Sequence, residues 1–209
     1  MANVMNPRGF EPRRHINGSP YNGQNQEMLI PSSDATAVFV GDLVKIAGSS
    51  GAAGTVVNGR DCEGMPTVAL ATAGTTGQDI AGVVVGFLPD VTDLTVKYRK
   101  ASTNRIALVC TDPTVVYEVQ EDADTTPIAA ASVGLNAPYT TTAGSTTTGL
   151  SKMAIDSSAV ATTSTLPLKI LGLSKITGNA FNTGGSLTDA ARFDVLLNTG
   201  AYLPNTAGA

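Results

Sequence analysis

Two stretches in the middle of the chain place apolar side chains at every second position, so that these side chains share one face of a strand. In RIALVCT an apolar side chain occupies every second position, and in TVVYEVQ the polar Glu118 and Gln120 alternate with Tyr117 and Val119. A period of two over this length is typical of a strand in a half-buried antiparallel sheet. The stretch LTVKYRK, residues 94–100, alternates in the same way and predicts another strand.

Apolar runs bounded by Gly, Pro and Asp predict further strands on both sides of this region. They are EMLIP, TVALATAG and DIAGVVVGFLP before it, and LPLKILGLS and RFDVLLN after it. Gly82 and Gly86 inside one run indicate bulges or a close approach of another backbone. Asn58-Gly59 is a hairpin signal, and TPIAAASVG predicts one or two helical turns that end at Gly134.

Together these elements predict an all-β protein in three parts. Residues 1–30 form an extended N-terminal arm, and residues 31–120 form a small antiparallel barrel or sandwich. Residues 121–209 contain a Thr-, Ala- and Gly-rich segment and C-terminal strands that complete the sheet or add a second β layer. No repeat with a period of roughly 20–50 residues is present, which excludes a solenoid or a propeller.

The composition restricts the classes of partner. Charged residues make up only 14% of the chain, against about 25% in a typical soluble domain. The net charge of −4 argues against a nucleic-acid partner, and no run approaches the roughly 18 apolar residues of a membrane span. A surface so poor in charge suits a protein that packs against its own copies or a partner. A merely Thr-rich soluble domain explains the composition equally well.

The two cysteines, Cys62 and Cys110, are expected to be reduced thiols, because no export signal opens the sequence. If they paired, closing the intervening loop would contribute roughly 4 kcal/mol in the chain-entropy model. The sequence leaves this pairing open.

Candidate catalytic and metal-binding groups are few. His15 is the single histidine and lies in a Pro- and Gly-rich segment, where a general base is not held rigidly. GSSGAAG lacks the Lys-Ser/Thr of a phosphate loop. EDAD groups Glu121, Asp122 and Asp124 without the spacing of a calcium loop, so a solvated turn is favoured. We expect no enzyme, catalytic residue, cofactor or metal site; a spatial pair of carboxylates, to be tested at Glu118 and Glu121, is the enzymatic alternative.

The opening segment MANVMNPRGFEPRRHINGSPYNGQ is basic and rich in turns. Pro7, Pro12 and the charged residues interrupt every apolar run or amphipathic helix that a targeting signal needs. Three Arg against one Glu give the first 20 residues a charge of +2, which leaves −6 for the rest of the chain. We predict an arm that binds a partner, with guanidinium groups that pair with carboxylates and apolar side chains that act as anchors. The predicted partner-binding residues are Arg8, Phe10, Arg13, Arg14, Ile16 and Tyr21.

Stretches across most of the chain resemble a known family. They are the opening segment, DATAVFVGDLVKI, AGVVVGF, YRKASTNRIALVCTDPTVVYEVQED, VGLNA, LPLKILGLS and FDVLLN. These stretches are similar to the structural cement, or head decoration, proteins of tailed bacteriophages. The resemblance implies a non-enzymatic virion protein, made in the host cytoplasm, that binds the outer capsid surface and cements neighbouring major capsid subunits of the expanded, DNA-filled head.

The resemblance also implies a homotrimer, and it favours an arm that lies on a neighbouring copy or on the shell over one that lies on its own body. A tail or fibre component that binds a host surface is the alternative, and the Thr-rich loop at residues 140–149 motivates it. Electron microscopy distinguishes the two, because density over the head indicates a cement protein and density on the tail indicates the alternative.

Overall fold

The computed structural model describes residues 3–73, 80–183 and 190–203. The protein is almost all β, as predicted, and its sheets are antiparallel apart from one parallel pair. Its described strands are β1 Glu11–His15, β2 Gln26–Ile30, β3 Leu43–Ser50, β4 Val56–Val57, β5 Arg60–Asp61, β6 Pro66–Leu70, β7 Ile80–Phe87, β8 Arg105–Cys110, β9 Val115–Gln120, β10 Asn136–Ala137, β11 Tyr139–Thr140, β12 Ala154–Ile155, β13 Leu168–Leu173 and β14 Arg192–Leu197. Short 3-10 turns lie at Ala130–Ser132 and Ser157–Ala159. None of the helical segments in these ranges is long and apolar enough to cross a membrane.

Five strands close into a barrel in the order β2-β6-β3-β7-β8. Strands β7 and β8 are buried on both faces over most of their length, because one face lines the barrel interior and the other packs on the second layer. Along β7, Val84 belongs to the interior cluster, whereas Val83 belongs to the core shared with that layer. Val109 and Cys110 of β8 divide in the same way. Double burial explains why these strands read as nearly continuous apolar runs.

The second layer is a five-stranded antiparallel sheet in the order β1-β9-β14-β13-β10. Side chains from this sheet, among them Tyr117, Phe193 and Val195, pack with Leu43 and Val83 of the barrel. The two layers therefore share one hydrophobic core in a sandwich-like arrangement.

Strand pairing sets boundaries that differ from the three predicted parts. Strand β2 lies within the predicted arm and is a barrel strand, so the barrel extends from Gln26 to Cys110. Strand β9 lies within the predicted barrel and pairs instead with β1 and β14. The second layer thus combines strands from the N-terminal segment with strands from the C-terminal half.

Both glycines of β7 behave as predicted. The pairing register shifts next to each of them, at the β3 side for Gly82 and at the β8 side for Gly86. A Cβ on Gly82 would overlap the carbonyl oxygen of Cys110, so the neighbouring backbone lies against this glycine. The Asn58-Gly59 hairpin is also confirmed, with both residues at positive φ between β4 and β5.

The predicted strand at LTVKYRK is wrong. Residues 91–98 form turns, in which Asp90 accepts hydrogen bonds from the backbone and side chain of Thr92, and Asp93 does the same for Thr95. Such local bonds from Asp compete with a sheet ladder. Alternation alone did not reveal this competition.

The predicted turns before Gly134 are confirmed as a single 3-10 turn at Ala130–Ser132.

Two buried arginines fasten one end of the barrel. Arg99 is fully buried and donates to the carbonyl oxygens of Pro31, Asp34, Thr36 and Thr103. A guanidinium group offers five N–H donors in a fixed fork, which suits this set of carbonyls.

Arg105 acts similarly, because it donates to Leu88, Val96 and Tyr98 and lies over the ring of Phe87. No pattern in the sequence indicates that either arginine is buried. Cys62 and Cys110 lie in different apolar clusters, and both are buried, free thiols, as expected.

Candidate partner-binding surface

The N-terminal arm is extended, as predicted, but it lies on its own body. Strand β1 pairs along β9, with Glu11 opposite Glu118 and His15 opposite Val115. The preceding Phe10 is only 1% exposed and meets the ring of Tyr139 edge-on at 6.5 Å. Phe10 is therefore a core residue of its own chain rather than an exposed anchor for a partner.

Glycines allow the arm to approach the barrel this closely. Gly9 and Gly41 both have positive φ, at 74° and 94°. A Cβ on Gly9 would overlap the carbonyl oxygen of Gly41, and one on Gly41 would overlap that of Arg8. The amide of Phe10 donates to Gly41 at 2.9 Å. The crossing is thus a backbone-to-backbone contact that fixes the arm on the barrel.

Arg13 binds a carboxylate of its own sheet. It lies 3.0 Å from Glu118, which also receives hydrogen bonds from Arg192 at 3.2 Å and from the Ser174 hydroxyl at 2.7 Å. Burial by itself would raise the pKa of Glu118, but the bonds from Ser174 and Arg13 outweigh it and lower that pKa. Glu118 is therefore a buried anion with an internal structural role.

Other basic groups of the arm also face acidic groups of the body. Arg14 lies 3.2 Å from Asp194, and the Nδ1 atom of His15 lies 3.3 Å from Asp112. The +2 arm thus complements the −6 remainder of the same chain. Two of the three arginines of the arm therefore pair with carboxylates of the same chain.

Glu121, the other carboxylate of the enzymatic alternative, is fully buried and has structural partners as well. It accepts the backbone amides of Ile128 and Ala191, each at 2.8 Å. Burial raises the pKa of Glu121 despite these two bonds.

Two of the six predicted contact residues project freely from the arm. Arg8 is exposed, and Ile16, in the turn after β1, is 54% exposed. Tyr21 is half-buried against the core and donates its hydroxyl to the carbonyl of Gln24 at 2.9 Å. Arg13 and Arg14 keep 49% and 41% of their side chains exposed but pair with carboxylates of their own chain, so Arg8 and Ile16 are the exposed predicted residues outside those ion pairs.

A groove runs between the arm and the Thr-rich segment, and we call it the N-terminal groove. One wall is residues 5–8 and the other is drawn from residues 140–154. It consists of two spaces of about 410 Å³ each that share Asn6, Pro7 and Lys152. Arg8 lines one space and Asp122 the other. Sequence reasoning missed Lys152, because only the fold brings it next to the arm.

A second open surface lies at the barrel end that carries the β4–β5 hairpin. Asn58 of this hairpin donates to the carbonyl of Pro89 at 2.7 Å and so ties it to the loop after β7. Val56, Val91 and Leu94 are exposed apolar side chains on these two elements. We call these three residues the barrel-end patch.

A cleft of about 440 Å³ lies between the barrel and the loop at residues 141–146, with Asp42 in its lining. Asp42 is 2% exposed and accepts the amide of Phe39 at 2.7 Å and a bond from the side chain of Ser151. Burial raises the pKa of Asp42 to about 6 in spite of these bonds.

The sequence groups Glu121 with the two aspartates of EDAD, whereas the fold groups those aspartates with Asp156. Asp122 and Asp124 lie with Asp156, and their carboxylate oxygens are within 4.8 Å of one another. The Ser157 hydroxyl lies 2.8 Å from Asp122 and 2.9 Å from Asp124, so it bridges the two. The cluster is hydrogen-bonded within the fold.

No protein-family model, curated protein or solved structure matches the chain.

Proposed function

We propose that this chain is a virion structural protein that binds the outside of a phage head and cements neighbouring major capsid subunits. The observation that carries the proposal is that one β body presents two open surface regions on separate elements. These regions are the N-terminal groove with Arg8, and the barrel-end patch. A body with two separate contact regions is suited to bridging two subunits.

The order of the arm favours tight binding. An arm that became ordered only on the capsid would lose roughly 1–2 kcal/mol of backbone entropy per residue. Here β1 and Phe10 are already fixed on the body. The arm therefore loses this backbone entropy when the chain folds and not when it binds. A preformed surface keeps more of its interaction free energy for binding.

Repetition of weak contacts supplies the rest of the affinity. We propose a homotrimer, as the resemblance implies, in which each subunit presents the same two regions. Linked sites raise the effective concentration of each other, so modest contacts become strong together. Charged residues make up only 14% of the chain, which is consistent with a surface that is buried in an assembly.

The direct test is localisation on the virion. Cryo-electron microscopy of virions that encode the chain should show its density on the outer surface of the expanded head. Density restricted to the tail would overturn the proposal in favour of a tail or fibre component. Sedimentation of the purified chain tests the trimer, and a monomer at high concentration would remove that part.

Removal of residues 1–24 is unsuitable as a binding test. It would delete β1 and Phe10 and therefore part of the core. Single substitutions at exposed residues of the two regions, such as Arg8→Gln in the N-terminal groove and Leu94→Asp in the barrel-end patch, test head occupancy without this loss.

A further inference from the structure

The N-terminal groove carries a pair of cations that the fold leaves open. Arg8 and Lys152 are exposed side chains that line the same space. Within the described residues neither forms an ion pair, whereas Arg13 and Arg14 pair with carboxylates of their own sheet. The Arg8 end of the groove is therefore a local site of positive charge on a chain whose net charge is −4.

We propose that the N-terminal groove binds an extended acidic segment of the partner protein, with carboxylates of that segment at Arg8 and Lys152. This inference rests on the proposed function, because it assigns the chemistry of the capsid contact. Arg binds carboxylates through paired N–H donors, and Lys supplies a compact charge beside it.

The neutral part of the lining suits a peptide backbone. Side-chain amide and hydroxyl groups, which both donate and accept hydrogen bonds, line both spaces of the groove. Asn6 lines both spaces, Ser145 and Thr148 line the one with Arg8, and Thr140 and Thr142 line the one with Asp122. An extended peptide needs such groups, because its N–H and C=O groups require partners when they leave water.

Asp122 lines the second space and not the one that Arg8 lines. Its carboxylate accepts hydrogen bonds from the amide and hydroxyl of Ser157 at 2.9 and 2.8 Å, which leave its charge unchanged. The groove is thus positive at the Arg8 end and negative at the Asp122 end. This polarity predicts that the acidic groups of the segment cluster at the Arg8 end.

Both walls of the groove are held before a partner arrives. The amide of Asn6 donates to the side chain of Gln120 at 2.9 Å, and the Gly9–Gly41 crossing fixes the chain just after Arg8. The opposite wall is fixed where Ser151 donates its amide to Val40 at 2.8 Å. A preformed groove needs little ordering when it binds.

Nucleic acid fits these observations less well than a peptide. Binding to a phosphate backbone needs several cations along its path, and affinity scales with their number. The groove offers two, and the surrounding chain is acidic. The segment of a partner protein, with a few carboxylates, matches that count.

The test uses two blocked peptides, one of alternating Asp and Thr and one with Asn in place of each Asp. Titration into the isotope-labelled full chain at low ionic strength should shift the amide resonances of Met5, Asn6, Arg8 and residues 145–152 with the Asp peptide. The Asn peptide should leave them in place, and added salt should weaken the response. Equal responses to both peptides, or shifts confined to other residues, would overturn the inference.

The variants Arg8→Gln and Lys152→Gln, combined, should weaken binding of the Asp peptide by about tenfold or more, as expected for the loss of two charge contacts. Lys175→Gln removes an exposed cation outside the groove and should leave binding unchanged. Matching thermal midpoints verify that the variants are folded. Unchanged binding in the double variant would contradict the assignment.

Inorganic phosphate and a short oligothymidine complete the test. The inference predicts that each binds more weakly than the Asp peptide. If phosphate reproduces the shifts at equal affinity, the groove is a simple anion site; if the oligonucleotide binds more tightly, it is a nucleic-acid site. Either result overturns the inference.

Binding to purified heads separates the groove from the proposed function. If the wild-type chain binds the Asp peptide in the groove but does not bind heads, the groove chemistry stands and the cement role fails. If heads bind the wild type and the double variant equally, the cement role stands and the groove is not the capsid contact.

Discussion

The guanidinium group of Arg13 lies 3.0 Å from the carboxylate of Glu118, 105 positions further along the chain. One residue belongs to the edge strand β1 and the other to its neighbour β9. The ion pair therefore joins the N-terminal segment to the second layer, and it explains why a basic segment precedes an acidic body.

Loss of Glu118 should destabilise the fold more than loss of Arg13. Glu118 is 3% exposed and has three donors, whereas the side chain of Arg13 is about half exposed. Glu118→Ala should cost about 3–5 kcal/mol, the usual cost of breaking a buried pair. Arg13→Ala should cost about 1 kcal/mol or less, as for exposed pairs. Urea unfolding measures both, and equal losses would contradict this ranking.

Phe10→Ala should destabilise the protein strongly, because Phe10 is buried in the shared core. The expected loss is about 3–5 kcal/mol of the free energy of unfolding, which is typical of a large-to-small change in a core. Ile16→Ala, in the exposed turn of the same segment, is the matched control and should change that free energy by about 0.5 kcal/mol or less. Chemical denaturation measures both; a small loss for Phe10→Ala would mean that the arm does not lie on the core.

Asp42 should make stability fall as the pH rises from about 4 to above 6. Its pKa rises from an ordinary 3.8 to about 6 in the fold, chiefly through burial. In that interval the folded state binds the proton more than the unfolded state does, so higher pH favours unfolding. The contribution lost is of order 3 kcal/mol, at about 1.4 kcal/mol for each pKa unit.

Asp42→Asn should remove this part of the pH dependence, because an amide does not ionise. Thermal and urea unfolding between pH 4 and pH 7 would measure this pH dependence, because that range includes the folded-state pKa of about 6. Glu118 acts in the opposite direction: its lowered pKa gives stability that is present above its unfolded value and lost as the pH falls through the folded value. A wild-type and variant difference that does not vary with pH would refute the assignment.

Gly82→Ala should disrupt the contact between β7 and β8. The added Cβ would overlap the backbone carbonyl of Cys110, which is not free to rotate away. We expect a loss of about 1–3 kcal/mol or more, in line with overpacked cores. Gly86→Ala is the control on the same strand, since its nearest neighbour would be the Cδ1 atom of Leu108 at 3.7 Å. Similar unfolding midpoints for the two variants would contradict the proposed clash.

Local patterns in the sequence predicted the class of fold and much of its detail. The strands around Tyr117 and Ile106, the hairpin at Asn58-Gly59 and the bulges at Gly82 and Gly86 all follow from side-chain period and from glycine. These signals are local, because alternation and turn chemistry act over a few residues. Where two local signals compete, as at residues 91–98, the hydrogen bonds of Asp90 and Asp93 prevailed over alternation.

The amino-acid sequence by itself determined that this protein is all-β, that its net charge is acidic, and that its N-terminal segment is basic. Only the tertiary structure decided what the basic segment contacts. Burial of Phe10 and the carboxylates of Glu118 and Asp194 hold that segment on its own body. The fold also places Arg8 and Lys152 in the lining of one groove. The physical reason is that burial and charge pairing act between residues far apart in the chain, and no local pattern records which of them meet.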